Sequence, residues 1–248
     1  MISAIVVSHG HRQELAESLP ALEPQVDEVI LIGNIAGSLP DGRAGIENPE
    51  PLSYAANLNR GIAVAKGDLI LVNNPDAVPE PGAAAALAEF MADHPRCGVA
   101  GPRLENPDGT WQHSRRRFPT VTGTVVRRTP LRRLFPPLER QRAHYNLDER
   151  PTEPVRADWM LGGSLLLRRE MLDELGGYDA GFRMYGEEID LCYRAARAGW
   201  EVWFVPAAVV RHRWDAVTDQ KLWTRRTLWH WRSILRFVRK HPERLFAR

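Results

Sequence analysis

The sequence predicts an α/β protein with a mostly parallel sheet flanked by helices. Three observations carry that prediction. Short apolar runs rich in β-branched residues alternate with helical patterns through the first hundred residues, joined by short links; this is the pattern of a parallel sheet with right-handed crossovers. Leu69, Ile70, Leu71 and Val72 are apolar without alternation, as a strand covered on both faces requires. That run stops on Asn73-Asn74-Pro75-Asp76. Pro75 lacks a backbone N–H and disfavours the α region for Asn74, so Asp76 falls at the carboxyl end of a central strand, where open α/β sheets bind ligands.

In chain order, residues 3–7 form a first strand that ends at Ser8-His9-Gly10-His11-Arg12. The next helix turns Leu15, Leu19 and Leu22 inward and stops at Pro24. Residues 28–32 form a second strand, ending at Gly33 and Asn34. Residues 42–51 are loop with a short strand near Ile46. A helix over 54–65 follows with Ser53 as its N-cap. No G-x-G-x-x-G fingerprint and no P-loop follows the first strand. A nucleotide at these strand ends would be gripped by Ser8, Arg12, Asn57 and Asn59; the local alternatives are caps and turn bonds for Ser8 and Asn59 and a solvated helix start for Arg12.

Pro79 and Pro81 lead into an alanine-rich helix over 82–92. Residues 98–102 are a strand, and Asn106-Pro107-Asp108-Gly109 is a tight hairpin turn. Arg115, Arg116 and Arg117 form either a solvated face or a clamp on an anionic group. Residues 120–154, rich in Arg and Pro, are expected to be a flexible segment beside the site. Residues 158–168 read as a strand interrupted by Gly162 and Gly163, the mark of a bulge or of close approach by a ligand. Trp159 is either core or the wall of a sugar subsite. A helix over 169–175 ends at Gly176-Gly177. The next helix opens with Glu187, Glu188 and Asp190. Dipole complementarity and the spacing to Arg194 account for Asp190. They do not account for Glu187 beside Glu188, a like-charge pair that raises one pKa. Residues 200–205 and 207–212 are strands, the second ending on His212.

Composition bounds the class. The 248 residues, 44% hydrophobic and 26% charged, bury one large core or two small ones and exclude a disordered chain. No apolar run reaches the ~18 residues of a membrane span, and residues 1–8 pass into a strand without a leader pattern. Cys97 and Cys192 stand in apolar settings without metal-ligand spacing, as buried thiols of a reducing compartment do. The net charge of +2 conceals an asymmetry. Residues 221–248 hold nine Lys/Arg against one acid, leaving 24 basic and 30 acidic residues in 1–220. A second basic cluster lies between Arg103 and Arg142. Such charge suits phosphates or an anionic membrane surface. Leu228, Trp231, Ile234, Leu235 and Val238 recur on one side of a helical pattern, with Arg225, Arg232, Arg236 and Arg239 largely elsewhere. The expectation is a domain over 1–215 and a basic amphipathic helix within 216–248. The helix lies on an anionic membrane or its apolar stripe packs on that domain; both hold if the stripe docks inward and the arginines meet lipid phosphates.

Taken in order, strand-Ser8-His9, strand-Gly33-Asn34, the Ala55-Ala56-Asn57-Leu58-Asn59-Arg60-Gly61-Ile62 helix and Leu71-Val72-Asn73-Asn74-Pro75-Asp76 resemble family 2 glycosyltransferases. These are inverting enzymes of the GT-A fold that use nucleotide-diphosphate sugars. The Asn-Pro-Asp form is similar to that of rhamnosyltransferase-like bacterial members. The resemblance implies a donor site at Ser8, His9, Arg12 and Asn59, with Asn74 near the ribose. It implies that Asp76 holds a divalent cation, Mg2+ or Mn2+, on the diphosphate. Asn34 follows Gly33, which stands where the family has an aspartate that reads the base, and the Asn34 amide takes that role. Trp159 and Gly163 match an aromatic-then-glycine element under the donor sugar. Glu187-Glu188-Ile189-Asp190-Leu191-Cys192-Tyr193-Arg194 resembles Glu-Asp-x-Asp-Leu-x-x-Arg, whose second acid is the base. That position is Glu188 here, with Glu187 binding the acceptor or orienting the base; which of the two acts stays open. A histidine at the place of His212 is the second metal ligand. The implied partners are a nucleotide-diphosphate sugar and a glycan or lipid-linked acceptor, without nucleic acid. The implied location is cytoplasmic, peripheral at the inner face of the membrane. Two alternatives remain at this level: a sugar nucleotidyltransferase, and a non-catalytic module binding membrane or nucleic acid through the basic tail.

Overall fold

The computed structural model describes residues 1–118, 149–213 and 225–245. The chain opens with β1 (Ile2–Ser8), α1 (Arg12–Leu22), β2 (Glu28–Gly33), the short β3 (Ile46–Glu47), α2 (Tyr54–Val64) and β4 (Leu69–Asn73). These strands pair in parallel in the order β3, β2, β1, β4. Ser53 caps α2, its hydroxyl accepting from the Ala56 N–H at 3.2 Å. The strands read as unbroken apolar runs because both faces are covered. Ala4, Val6, Leu31 and Leu71 pack with Leu15, Leu19 and Leu22 of α1 on one face. Ile5, Val7, Ile30, Ile32, Ile70 and Val72 pack with Leu58 and Ile62 of α2 on the other. Each such buried aliphatic side chain contributes about 1.5–3 kcal/mol. α2 lies so close to β1 that a Cβ on Gly61 would meet Ile5 Cγ2 at 2.6 Å.

The second half adds antiparallel strands to the parallel set, so the sheet is mixed. After β5 (Ala77–Pro79) and α3 (Ala83–Asp93) come β6 (Cys97–Glu105) and its hairpin partner β7 (Trp111–Gln112), then β8 (Arg115–Arg116). Beyond the gap lie β9 (Val155–Arg156), β10 (Trp159–Met160), β11 (Ser164–Arg168), α4 (Arg169–Leu175), α5 (Glu187–Arg197) and β12 (Glu201–His212). β11 inserts between β4 and β6 and is antiparallel to both. It follows β10, which pairs with β8 in a separate two-stranded sheet, through a three-residue link. The two strands expected over 200–212 are one strand. β12 runs beside β6 with a register shift between Val205 and Val209, where Pro206 cannot donate to the ladder. Cys97 and Cys192 are free and buried, and burial pushes both thiols up to about 12. Of the expected loop over 120–154, residues 120–148 lie outside the described residues.

A final helix, α6 (Arg225–Lys240), packs on the body against α5 and the loop before it. Ser233 Oγ donates to Met184 O at 3.0 Å. Arg236 and Lys240 bind Asp179 at 2.7 and 2.8 Å. Lys240 and His241 both reach the fully buried Asp190, at 2.9 and 2.8 Å, which also holds Arg194. Burial opposes ionisation of Asp179, but its bonds from Arg236, Lys240 and the Gly181 N–H outweigh that and hold its pKa well below the usual range. The apolar stripe does not pack inward as a whole: Trp231, Ile234 and Val238 are half-buried. Phe237 is buried, whereas Leu228 and Leu235 are 52% and 59% exposed. The buried Asp190 and the half-buried Asp179 of the body draw the polar side of the helix inward.

Candidate active site at the carboxyl edge of the sheet

The parallel register sets Ser8 beside Gly33, so the carboxyl ends of β1 and β2 share one edge with that of β4. β4 ends on the buried Asn73. Its amide donates to Asn74 O at 3.0 Å and to Ala77 O at 2.9 Å, pinning the turn that presents Asp76. β5 then pairs antiparallel with the end of β12, placing Ala77 opposite His212. Two residues far apart in the chain thereby meet: His212 Nε2 lies 3.6 Å from Asp76 Oδ1.

The hydrogen bonds around His212 fix its tautomer. Gln112, brought across by the β6–β7 hairpin, donates through Nε2 to Asn106 Oδ1 at 2.7 Å and to His212 O. Its Oε1 is therefore the acceptor at 3.1 Å from His212 Nδ1, which carries the proton and leaves the Nε2 lone pair facing Asp76. On the other side Tyr54 donates to Asn74 Oδ1 at 2.9 Å, which turns the Asn74 amide nitrogen toward Nε2 at 3.4 Å. Burial lowers the His212 pKa, against a weaker opposing pull from Asp76, so the ring is held neutral. A Cβ on Gly163 would stand 3.3 Å from His212 Cδ2 and Nε2. Only a glycine leaves this ring its full space.

The carboxylates enter from α5. Tyr185 adopts φ +68°, the one non-glycine residue at positive φ among the described residues, and Gly186 follows at +93°. This sharp entry starts the helix at once on Glu187 and Glu188. Left-handed backbone at a non-glycine residue costs of order 1–3 kcal/mol and gathers at functional sites. Glu188 Oε2 accepts from the Gly186 N–H at 3.2 Å, and its Cγ and Cδ lie 4.0 Å from where a Gly162 Cβ would be. Glu187 is buried and its Oε2 has no hydrogen-bond partner among the described residues. Burial raises both pKa values, and for Glu187 the neighbouring Glu188 adds to the effect. Tyr54 is also pushed up, by burial and by the fields of Glu187, Glu188 and Asp76. It stays a proton donor. Tyr54, Asn74, Gly162, Gly163, Glu187, Glu188 and His212 line one cavity of about 270 Å³, together with Tyr178 and Tyr185.

The structure thus brings Asn74, Gly163, Glu187, Glu188 and His212 together, with Asp76 against His212. The remaining candidates are placed elsewhere. Ser8 Oγ is buried, donating to Ser38 O at 2.7 Å and accepting from the His11 N–H at 3.1 Å. His9 Nδ1 lies 3.1 Å from the Asn34 amide. Asn34 also bonds both backbone groups of Leu52 and the amide of Asn48. Arg12 pairs with the exposed Asp41. Asn59 clasps both backbone groups of Tyr178, at 2.7 and 2.9 Å. Trp159 is core: 8% exposed, its indole N–H on Arg117 O at 2.9 Å, and outside the cavity. Arg115 and Arg116 are not a solvated face; their strand pairs with Trp159 and Met160, and Arg115 binds Glu149. Asn73, Gln112, Tyr54 and Tyr185 belong to the site or hold it and were not singled out from sequence. Asn73, within the strand-end motif, and Tyr54, beside the Ser53 cap, stood at recognisable positions.

Among the described residues no group of three His, Cys, Asp or Glu side chains forms a metal cluster. Asp76 and His212 are instead an open pair. One hard carboxylate and one neutral imidazole nitrogen, facing each other at 3.6 Å, fit a cation that takes its remaining ligands from phosphate oxygens and water.

A family model described as glycosyltransferase like family 2 matches residues 23–231. The chain is 33% identical over 242 residues to the N-acetylglucosaminyl-diphospho-decaprenol L-rhamnosyltransferase of Mycobacterium tuberculosis, covering 85% of this chain and 75% of that protein. It is 24% identical over 259 residues to rhamnosyltransferase WbbL of Escherichia coli, covering 96% and 92%. Among solved structures it resembles GalNAc-T7 with UDP, GalNAc and Mn2+, at a TM-score of 0.63 and 18% identity over 86% of this chain. It also resembles the mannosyltransferase PcManGT from Pyrobaculum calidifontis with GDP-Man and Mn2+, at 0.56 and 16% over 85%. The chain spans 43% and 56% of those two proteins, and the likeness is one of fold.

Proposed function

The chain belongs to the family 2-like glycosyltransferases and is a rhamnosyltransferase-like enzyme of the GT-A fold; from that premise we propose that it moves a sugar, with inversion, from a nucleotide-diphosphate donor to a hydroxyl of a glycan or lipid-linked acceptor. Family membership decides against the nucleotidyltransferase and the non-catalytic module. Asp76 and His212 would hold a divalent cation, Mg2+ or Mn2+. That ion would neutralise charge on the departing diphosphate. Gln112 and Asn74 orient His212 for that role. Glu188 is the base: it accepts the acceptor hydroxyl proton as the oxygen attacks the anomeric carbon. Its raised pKa makes it a stronger base than an exposed carboxylate, and the Gly186 N–H holds one of its oxygens in place. Glu187 lies beside it, with an unpaired oxygen available to an acceptor hydroxyl. The donor nucleotide lies along the carboxyl ends of β1, β2 and β4, near His9 and Asn34. The enzyme works in the cytoplasm, peripherally at the inner face of the membrane.

One observation carries this reading: His212, with Asp76 against it, and Glu188 face the same cavity from separate parts of the chain. Two further facts support it. Neighbours of the same fold carry Mn2+ with a nucleotide or nucleotide-sugar, and the mycobacterial relative is named for a lipid-diphosphate acceptor. Glu188→Gln keeps the shape and removes the base. Transfer is expected to fall by about 10²–10⁴ while calorimetric binding of the nucleotide is unchanged. Undiminished turnover, or equal loss on Glu187→Gln alone, would reassign the base.

A further inference from the structure

We propose that the outward face of α6 is a docking surface for an anionic lipid bilayer. It is a stripe of apolar and basic side chains facing away from the body. Leu228, Trp231, Arg232, Leu235 and Arg239 recur at i, i+3, i+4, i+7 and i+11, which places them along one side of the helix. Leu228 and Leu235 are about half exposed. Trp231 is half-buried, and Arg232 and Arg239 are exposed. Neither arginine forms an ion pair with a described residue. The opposite side is fully engaged by the body through Ser233, Arg236, Phe237, Lys240 and the adjoining His241.

This arrangement inverts the rule for a helix that merely covers a core. The leucines face out, and the polar side is spent on carboxylates of the body. An exposed pair of leucines with a tryptophan between them and arginines alongside suits the boundary between headgroups and acyl chains. Charge selects the occupant. The 28 residues from 221 onward carry nine Lys/Arg and one acid, whereas residues 1–220 are net acidic. Of those nine, Arg236 and Lys240 are spent on Asp179 and Asp190, whereas Arg232 and Arg239 stand exposed beside Leu228, Trp231 and Leu235; cation and apolar side chain on one face together suit phosphate-bearing lipid. The helix is too short and too charged to cross a membrane, and no described helix is long and apolar enough to do so. It lies on the surface. His230, on the same helix, contacts Tyr185 with ring centroids 5.8 Å apart, and Tyr185 lines the catalytic cavity. Docking by α6 therefore holds that cavity close to the bilayer, where a lipid-linked acceptor presents its headgroup. This gives the peripheral location proposed above a physical basis. Vesicle binding needs neither donor nor acceptor, so the docking and the transfer chemistry fail separately.

The test is co-sedimentation of the full chain with vesicles of mixed phosphatidylglycerol and phosphatidylcholine, against pure phosphatidylcholine. Binding is expected to the mixed vesicles and to weaken with salt. Arg232→Gln with Arg239→Gln should reduce the partition coefficient by about fivefold per arginine. Leu228→Ser with Leu235→Ser should reduce it further at every salt concentration. All four positions are solvent-facing, so circular dichroism and the melting temperature should match the wild type. Three results would overturn the proposal. They are failure of the wild type to sediment with either vesicle, retention of binding by the double leucine variant, and a dimer in light scattering that the leucine variant separates.

Discussion

The two ends of the sheet edge use polar side chains in opposite ways. At the β1–β2 end, Ser8, Asn34, Asn48 and Asn57 bond to one another or to nearby backbone, and Asn59 locks α2 to Tyr178. At the β4–β12 end, Glu187 keeps a buried oxygen without a partner among the described residues, Glu188 has a raised pKa, and Tyr185 is held at positive φ. The first end spends its hydrogen bonds on shape, and the second withholds them. Unspent polar groups and local strain mark where a ligand completes the structure. The resemblance implies a donor site along both ends; the geometry shows one end with its polar groups paired and the other with a buried carboxylate oxygen unpaired.

Substitutions at each end sharpen this contrast. After Glu188→Gln, the largest effect is expected at Gln112, which touches no proposed ligand yet sets the His212 tautomer. Gln112→Ala should weaken Mn2+ affinity by about 10–100-fold, read by the metal dependence of initial rate. An unchanged metal dependence would show that Gln112 does not tune His212. Next is Asn59→Ala, which leaves two backbone groups of Tyr178 unbonded. It should cost about 1–3 kcal/mol of stability and leave the donor KM alone. A raised donor KM with unchanged melting would move Asn59 to the reactive side of the comparison.

The smallest effect has the opposite sign. Glu187 has a folded pKa raised above its unfolded value, chiefly by burial. Between those two pKa values the folded state binds more protons, so stability falls as pH rises through the window. Glu187→Gln removes the charge and should stabilise the protein at neutral pH by about 1 kcal/mol, or roughly 2–4 °C in melting temperature. The gain should vanish below the ordinary glutamate range, where both forms are neutral.

Much of the site was legible because its signals are local. Four apolar residues and a proline fix the end of β4 and put Asp76 there. Two adjacent acids with no dipole explanation flag α5. The mixed sheet was not legible, since nothing in 158–168 states which neighbours that strand will take. Trp159 was ambiguous because the link through Gly162 and Gly163 breaks the alternation that assigns a side. Gln112 was invisible, since its partner lies a hundred residues away across a strand end. That a helix closes the chain on the body was legible, but not which side it turns inward, because apolar patterning does not say what surface it will meet. Here Asp179 and Asp190 stand on the body, and ion pairs chose the face.

The central claim is a divalent cation held by Asp76 and His212 at the donor diphosphate. Its most direct test is calorimetric titration of a nucleoside diphosphate into wild type and Asp76→Asn, each with and without Mn2+. The prediction is that Mn2+ tightens binding to the wild type by about tenfold or more, worth ~1.4 kcal/mol, and leaves the variant unaffected. Equal tightening in both proteins, or none in the wild type, would contradict it.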